Sequence, residues 1–230
     1  MTIVSSALAT TTWPWAALLL LGAAHGINPG MGWLFAVALG MQEQERRAVW
    51  RALLPLAAGH TVAIAGAVAV AGVLGLALPP RALTWLVAAT LLGVGVARLV
   101  CHRHPRWGGM RVGPRDLAVW SLLMATAHGA GLMALPFVLR ASADAAAASA
   151  TSAHAGHAAM LHAAGVAGAG AEVGVWATAV HTAGYLLTTG VVAVVVYEKV
   201  GLRALRRAWV NLDALWAAAL VATGVLTLCV

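Results

Sequence analysis

Charged residues are scarce in this chain of 230 residues. Asp, Glu, Lys and Arg together make up 9% of it, whereas soluble domains carry about 25%. So few charges cannot cover a globule of this size, which excludes an ordinary soluble enzyme and a disordered tail. The two cysteines, Cys101 and Cys229, are too few for a disulfide framework or a cysteine-ligated zinc site. The sequence also has no phosphate-binding loop, no nucleophile elbow and no paired carboxylates, so neither an ATPase nor a hydrolase is indicated.

The chain is instead rich in long apolar segments. Hydrophobic residues make up 62% of the chain, and a helix needs about 20 mostly apolar residues to cross a membrane. The sequence therefore predicts an all-α integral membrane protein with six transmembrane helices, at 13–41, 52–78, 82–101, 116–139, 172–197 and 209–230. The segment 1–12 has no basic residue and so lacks the start of a signal peptide. The first span is expected to be retained.

The basic residues are unevenly distributed over the connections between the predicted spans. Only Arg81 and Arg140 fall in the second and fourth connections, and the other 12 of the 14 lie in or beside the first, third and fifth. Those twelve are Arg46, Arg47, Arg51, Arg98, Arg103, Arg106, Arg111, Arg115, Lys199, Arg203, Arg206 and Arg207. Cytoplasmic loops are enriched in Lys and Arg. We therefore expect a multi-pass protein of the inner (plasma) membrane with both termini outside the cytoplasm. The net charge of +7 follows from this topology, and no nucleic-acid partner is expected.

Histidines also occur in two of the connections. The segment 141–170 is rich in alanine, contains His154, His157 and His162, and is expected outside the cytoplasm. Its composition is compatible with a short surface helix or with disorder. His102 and His104 lie among the arginines of a cytoplasmic connection and are expected to be solvated.

Three short patterns occur in the same order in both halves of the chain. An Ala-His-Gly sequence at 24–26 returns at 127–129, a His-Thr pair at 60–61 returns at 181–182, and Trp85 with Gly93 returns as Trp216 with Gly224. A three-helix unit repeated once enters the membrane from opposite sides, because three is odd. This gives an inverted repeat, which is typical of transporters whose sites lie near the midplane. We predict one membrane domain built of two repeats, 1–115 and 116–230.

Four histidines fall inside the predicted spans: His25, His60, His128 and His181. Ionisable residues within a membrane mark functional sites, and the repeat relates these four in pairs. Each one alone is equally well explained as a core histidine bonded to a carbonyl, but four at repeat-related positions favour a shared site. Neutral imidazole binds zinc, copper, iron and nickel. A proton relay would use the same residues, so the histidines alone do not separate metal from proton.

The first predicted helix contains a break close to its histidine. Pro29 has no N–H, so the carbonyl of His25 loses its helical hydrogen bond. Asn28 lies three residues after His25 and shares its face, so its carboxamide oxygen is a candidate ligand beside the freed carbonyl. Met31 supplies a soft thioether of the kind that binds Cu(I). The candidate metal ligands are therefore the four histidines with Asn28 and Met31.

The first half of the sequence resembles a known family. The motif at 21–25 with Pro29-Gly30, the basic connection with Arg46 and Arg47, and the motif at 59–61 are similar to the nickel/cobalt efflux (NicO) family, within the LysE-type superfamily of six-helix exporters. The similarity covers about residues 17–75. It implies a six-helix exporter in which His25 and His60 are the family's histidines on helices 1 and 2. Met31 stands where the family's helix 1 motif has a further histidine.

Three functions are compatible with these residues. The leading hypothesis is a secondary transporter of a transition-metal cation (nickel, cobalt, copper, zinc or iron) through a midplane site lined by histidines. The second is a membrane redox protein whose histidines ligate haem or a non-haem metal. The third is a LysE-type exporter of a small solute with histidines as proton-coupling groups. The expected partners are the lipid bilayer and the cation, and the architecture is compatible with a homodimer.

Overall fold

The computed structural model describes residues 2–100, 113–152, 158–200 and 212–229. Within them every regular element is a helix, which confirms the predicted all-α fold. The elements are α1 (Thr2–Ile27), a 3-10 turn (Pro29–Met31), α2 (Trp33–Glu43), α3 (Arg46–Ala77), α4 (Pro80–Val100), α5 (Pro114–Ala127), α6 (Ala130–Ser152), α7 (Ala158–Val195), a π-helical segment (Val196–Val200) and α8 (Leu212–Cys229).

Several of these helices are long and apolar enough to cross a membrane. Three described segments qualify singly, at Arg46–Ala77, Pro80–Ala97 and Gly170–Lys199. Helices α5 and α6 qualify together as one broken span that bends by 64°. These helices indicate a membrane protein. The first and last of the six predicted spans coincide with α1–α2 and with α8, and the apolar part described in α8 is the shorter segment Ala217–Leu228.

The predicted outer segment 141–170 is helical wherever it is described. Helix α6 continues to Ser152 and α7 begins at Ala158, so this segment extends two helices of the bundle. The predictions made for His154 and His157, and for the basic segments 101–112 and 201–211, lie outside the described residues.

Helices from the two halves of the chain pack on each other in close pairs. Helix α1 packs along α7, α3 along both α5 and α7, and α4 along α8. Glycine allows the backbones to touch: a Cβ placed at Gly22 would overlap the carbonyl of His181, and one at Gly59 would overlap the carbonyl of Ala118. Small residues stabilise membrane helices in this way because close packing, not exclusion from water, drives their association.

Two apolar clusters occupy different levels of the bundle. The Trp33 cluster consists of Trp33, Ala36, Val37, Val49, Ala52, Leu56, Leu117, Ala193 and Val196. The Leu18 cluster consists of Leu18, Ile64, Ala125, Ala130, Ala134, Val138 and Ala177. On α3, His60 lies between Leu56 of the first cluster and Ile64 of the second. The level between the two clusters is therefore where histidines are found.

Candidate metal centre

The helix that carries His25 breaks directly after it. Helix α1 ends at Ile27, and Asn28 caps the following 3-10 turn by accepting the Gly30 N–H on its side-chain oxygen at 2.9 Å. Gly32 then has a φ of 124°, a left-handed conformation that glycine adopts without a steric cost. The chain is broken at the position where Pro29 and its glycines predict a break.

A second break follows His128. Helix α5 ends at Ala127, Gly129 has a φ of 70°, and α6 begins at Ala130. The prediction of one continuous helix over 116–139 was wrong, because Gly129 leaves the right-handed helical region. Both His-Gly pairs of the sequence thus stand at interrupted helices.

Three histidine rings meet between α1, α3 and α7. The ring centroid of His25 lies 5.9 Å from that of His60 and 5.2 Å from that of His181. The rings of His60 and His181 are 5.5 Å apart and within 12° of parallel. All three side chains are fully buried. The fold therefore collects three of the four predicted histidines in one buried cluster, the histidine cluster.

His25 and His128 share one hydrogen-bonding arrangement. The Nδ1–H of His25 donates to the Leu21 carbonyl at 2.8 Å, and that of His128 donates to the Met124 carbonyl at 2.9 Å. Because a carbonyl only accepts, each neutral ring carries its lone pair on Nε2. Metal-binding histidines are usually oriented by such a bond from their other nitrogen. Both rings are thus fixed in a tautomer suited to metal binding.

His60 and His181 have few polar contacts. Their ring nitrogens are buried without a hydrogen-bond partner in the described part of the chain. The Leu18 carbonyl is a polar neighbour of the His181 ring, but the two do not meet the geometry of a hydrogen bond. Buried polar atoms are nearly always paired, so these nitrogens are the candidate ligand atoms of the cluster.

The ring nitrogens do not converge on one point. Among the described residues, no three His, Cys, Asp or Glu side chains are arranged to hold a metal ion. The centroid distances of 5.2–5.9 Å are close to the spacing of about 5 Å expected for imidazoles bound at about 2.0–2.1 Å to one tetrahedral ion. Rotation about the Cβ–Cγ bond, a broad torsion in histidine, reorients a ring without moving its helix. In the orientations that the structure shows, the three rings of the histidine cluster do not form a closed metal site.

The fourth predicted histidine lies beside the helix break. His128 is buried and interacts electrostatically with His25. Its Cε1 atom is 4.0 Å from the point where a Cβ at Gly30 would stand. His128 therefore borders the 3-10 turn at the edge of the histidine cluster.

The oxygens expected to act as ligands are engaged elsewhere. The side-chain oxygen of Asn28 accepts the Gly30 N–H, so Asn28 caps the break. The carbonyl of His25 was expected to be free; this was wrong, because it accepts the Asn28 N–H at 3.2 Å. Met31 is buried, and its carbonyl accepts a hydrogen bond from Tyr185. The role of the Met31 thioether as a metal ligand stays a prediction.

Tyr185 is the main residue that the sequence analysis missed. Its ring stacks on His60 with centroids 3.9 Å apart and planes within 13°, and its hydroxyl donates to the Met31 carbonyl at 2.7 Å. It lies four residues after His181 and so on the same face of α7. This spacing, in a chain with only two tyrosines, was the available signal.

The two threonines that follow His60 and His181 also meet. The hydroxyl oxygens of Thr61 and Thr182 are 3.3 Å apart. Because these threonines belong to the His-Thr pairs of the two halves, like residues face each other where α3 crosses α7.

Comparison with known protein families, curated protein sequences and solved structures found no match.

Proposed function

We propose that this protein is a secondary transporter that carries a transition-metal cation across the membrane through the histidine cluster. The observation that carries the proposal is the meeting of three fully buried imidazole rings, 5.2–5.9 Å apart, from three different helices. Isolated ionisable groups are expensive to bury. Three together are best explained by a shared cation, and imidazole nitrogen selects transition metals.

We further propose that the domain has six spans arranged as two inverted three-helix repeats. The packing supports this, since the first helix of each half packs on the second helix of the other and the third helices pack together. The contact of Thr61 with Thr182 and the near-parallel rings of His60 and His181 are what a two-fold axis between α3 and α7 would produce. Repeats of this kind exchange a central site between the two sides of a membrane.

The two apolar clusters supply the closures that such a carrier needs. A cleft of about 480 Å³ opens between α1, α6 and α7, where the exposed Glu172 lines it together with Trp15 and Val180. Trp15 and Val180 also pack on the Leu18 cluster, and we propose that this cluster closes the path from the cleft to the histidines. The Trp33 cluster lies on the other side of the histidines. Movement of one cluster at a time would give alternating access.

The redox hypothesis has weaker support. A haem bound between His25 and His181 would have to separate α1 from α7, whose backbones already touch at Gly22. A bare ion needs only ring rotation. A small-solute exporter would use the same histidines as proton carriers, and it differs from the leading proposal in binding no metal.

The test combines metal analysis, spectroscopy and transport on the full chain. Protein purified in detergent without chelators is expected to bind Co²⁺, Ni²⁺ or Zn²⁺ and to show no Soret band. Proteoliposomes containing a trapped metal indicator should take up the bound cation with saturable kinetics, and empty liposomes should not. A Soret band would favour the haem alternative over this proposal. The absence of both metal binding and metal flux would overturn the proposal.

The orientation is tested by labelling single cysteines. In a background with Cys101 and Cys229 replaced by serine, we expect an impermeant maleimide added outside to label Ala147→Cys, on the exposed surface of α6. Gln44→Cys, in the exposed turn between α2 and α3, should react only after permeabilisation. The reason is the asymmetry of the basic residues. The reverse pattern would place the termini in the cytoplasm.

A further inference from the structure

The broken helix has almost no spare backbone oxygen. Within the break, three carbonyls close local turns: His25 accepts from the Asn28 N–H at 3.2 Å, Asn28 from the Met31 N–H at 3.0 Å, and Pro29 from the Gly32 N–H at 3.4 Å. The side-chain oxygen of Asn28 is also used, by the Gly30 N–H. Four oxygens at the break thus accept short-range hydrogen bonds within the turn, which makes them less available to a cation.

Three further carbonyls at the break accept hydrogen bonds from aromatic side chains. The bonds are Trp33 Nε1–H to Ile27 at 2.9 Å, Trp120 Nε1–H to Gly30 at 3.1 Å, and Tyr185 O–H to Met31 at 2.7 Å. A capped carbonyl keeps a second lone pair, but the donor places a partially positive hydrogen about 2 Å from the oxygen. That hydrogen repels an approaching cation.

This arrangement is unlike that of a hard-cation site. In carriers with discontinuous helices, carbonyls exposed by the unwound segment coordinate Na⁺, and Ca²⁺ and Mg²⁺ also require oxygen ligands. Here the donors that remain in the histidine cluster are imidazole nitrogens, with both nitrogens of His60 lacking a hydrogen-bond partner in the described chain. Nitrogen ligands favour zinc, copper, nickel, cobalt and iron over alkali and alkaline-earth ions.

We infer that Tyr185 is a positioning residue that sets the cation specificity of the site, by binding the Met31 carbonyl while it stacks on His60. The inference rests on the proposed function and narrows its substrate class to transition-metal ions that prefer nitrogen ligands. The site would not bind Ca²⁺, Mg²⁺ or Na⁺. Tyr185 is placed for this role because one side chain touches both the break and a ring of the cluster. Removing its hydroxyl would free the Met31 carbonyl, which we expect to become available to an oxygen-seeking cation, and would leave the aromatic ring stacked on His60.

The experiment compares Tyr185→Phe with Tyr197→Phe in purified full-length protein. Equilibrium binding of Co²⁺ is measured alone and against Ca²⁺, and the readout is the ratio of the two dissociation constants. Wild type and Tyr197→Phe are expected to keep Co²⁺ when Ca²⁺ is in large excess. In Tyr185→Phe the preference for Co²⁺ should fall roughly tenfold, about the value of one hydrogen bond. Loss of stability alone would weaken both ions together and leave the ratio unchanged.

The outcomes separate this inference from the proposed function. A folded Tyr185→Phe variant that binds Co²⁺ with the wild-type ratio overturns the inference and leaves the transporter proposal standing. Wild-type protein that binds no transition metal overturns both. If Tyr185→Phe does not fold, Trp120→Phe decides, because it removes the cap on the Gly30 carbonyl. A fall in the Co²⁺ preference of that variant supports the inference, and an unchanged ratio overturns it.

Discussion

If the proposed site exists, replacement of His60 or His181 by alanine is expected to lower the affinity for the transition-metal cation at least about 100-fold. Changes to groups that only orient a metal ligand already cost about 10–100-fold, and these substitutions would remove a ligand itself. The cation would also lie in a buried site, where a lost contact cannot be replaced by solvent. The measurement is the dissociation constant for Co²⁺ or Ni²⁺ in detergent, with folding checked by size-exclusion chromatography.

His104→Ala is the matched control, because the sequence predicts that this histidine lies in a connection outside the membrane spans. It should bind the cation as wild type does. His25→Ala belongs with His60→Ala and should lose affinity to a similar extent, since its ring contacts both of the others. His128→Ala should lose less, because its ring borders the helix break. If the variants of the three clustered histidines all fold and keep wild-type affinity, there is no shared site.

Substitution of Gly59 by alanine is expected to prevent stable folding. An added Cβ would overlap the Ala118 carbonyl and stand 2.8 Å from the Leu122 nitrogen, both of them backbone atoms of α5. Side chains can move aside at a cost of about 1–3 kcal/mol, whereas backbone contact forces α3 and α5 apart. Since α3 also carries His60, metal binding should be lost with the fold. The readout is the yield of monodisperse protein and its apparent Tm.

Gly66→Ala is the control within the same helix. No described atom outside the local helix lies within 4 Å of a Cβ at Gly66. Alanine is the better helix former by roughly 0.5–1 kcal/mol, so this variant should be as stable as wild type or more so. Equal loss of folded protein in both variants would mean that α3 tolerates no change of glycine, and the close contact with α5 would not be the cause.

The sequence contained enough to predict the helical class and the residues at the centre of the site. A chain with 9% charged residues and long apolar segments indicates a membrane protein, and membrane proteins are helical because helices satisfy their own backbone in lipid. Pro29 made the first break predictable, because it lacks the N–H that a continuous helix needs. His25, His60 and His181 are among the few ionisable residues buried in the largely apolar interior that the structure describes.

Other features depend on tertiary contacts that have no local signature. The break at Gly129 has no proline beside it, and glycine is common in continuous membrane helices. The hydrogen bond from the Asn28 N–H to the His25 carbonyl exists only because the chain tightens into a 3-10 turn. Tyr185 reaches Met31 across 154 positions of sequence. The spacing of Tyr185 from His181 places it on the same face of α7, but its hydrogen bond to Met31 depends on the packing of α7 against the 3-10 turn, which no pattern within α7 reveals.

The two apolar clusters bear on the rate of the proposed ion transport and on the leakage of other ions across the membrane. An ion bound at the histidine cluster, as we propose, would have apolar side chains of the Trp33 and Leu18 clusters on either side of it. Its passage would then be limited by collective helix motions on the scale of microseconds to milliseconds or slower, and not by diffusion along a pore. A membrane containing such a carrier would keep its electrical resistance while the ion crosses, and the gradients of protons and other ions across it would not be dissipated.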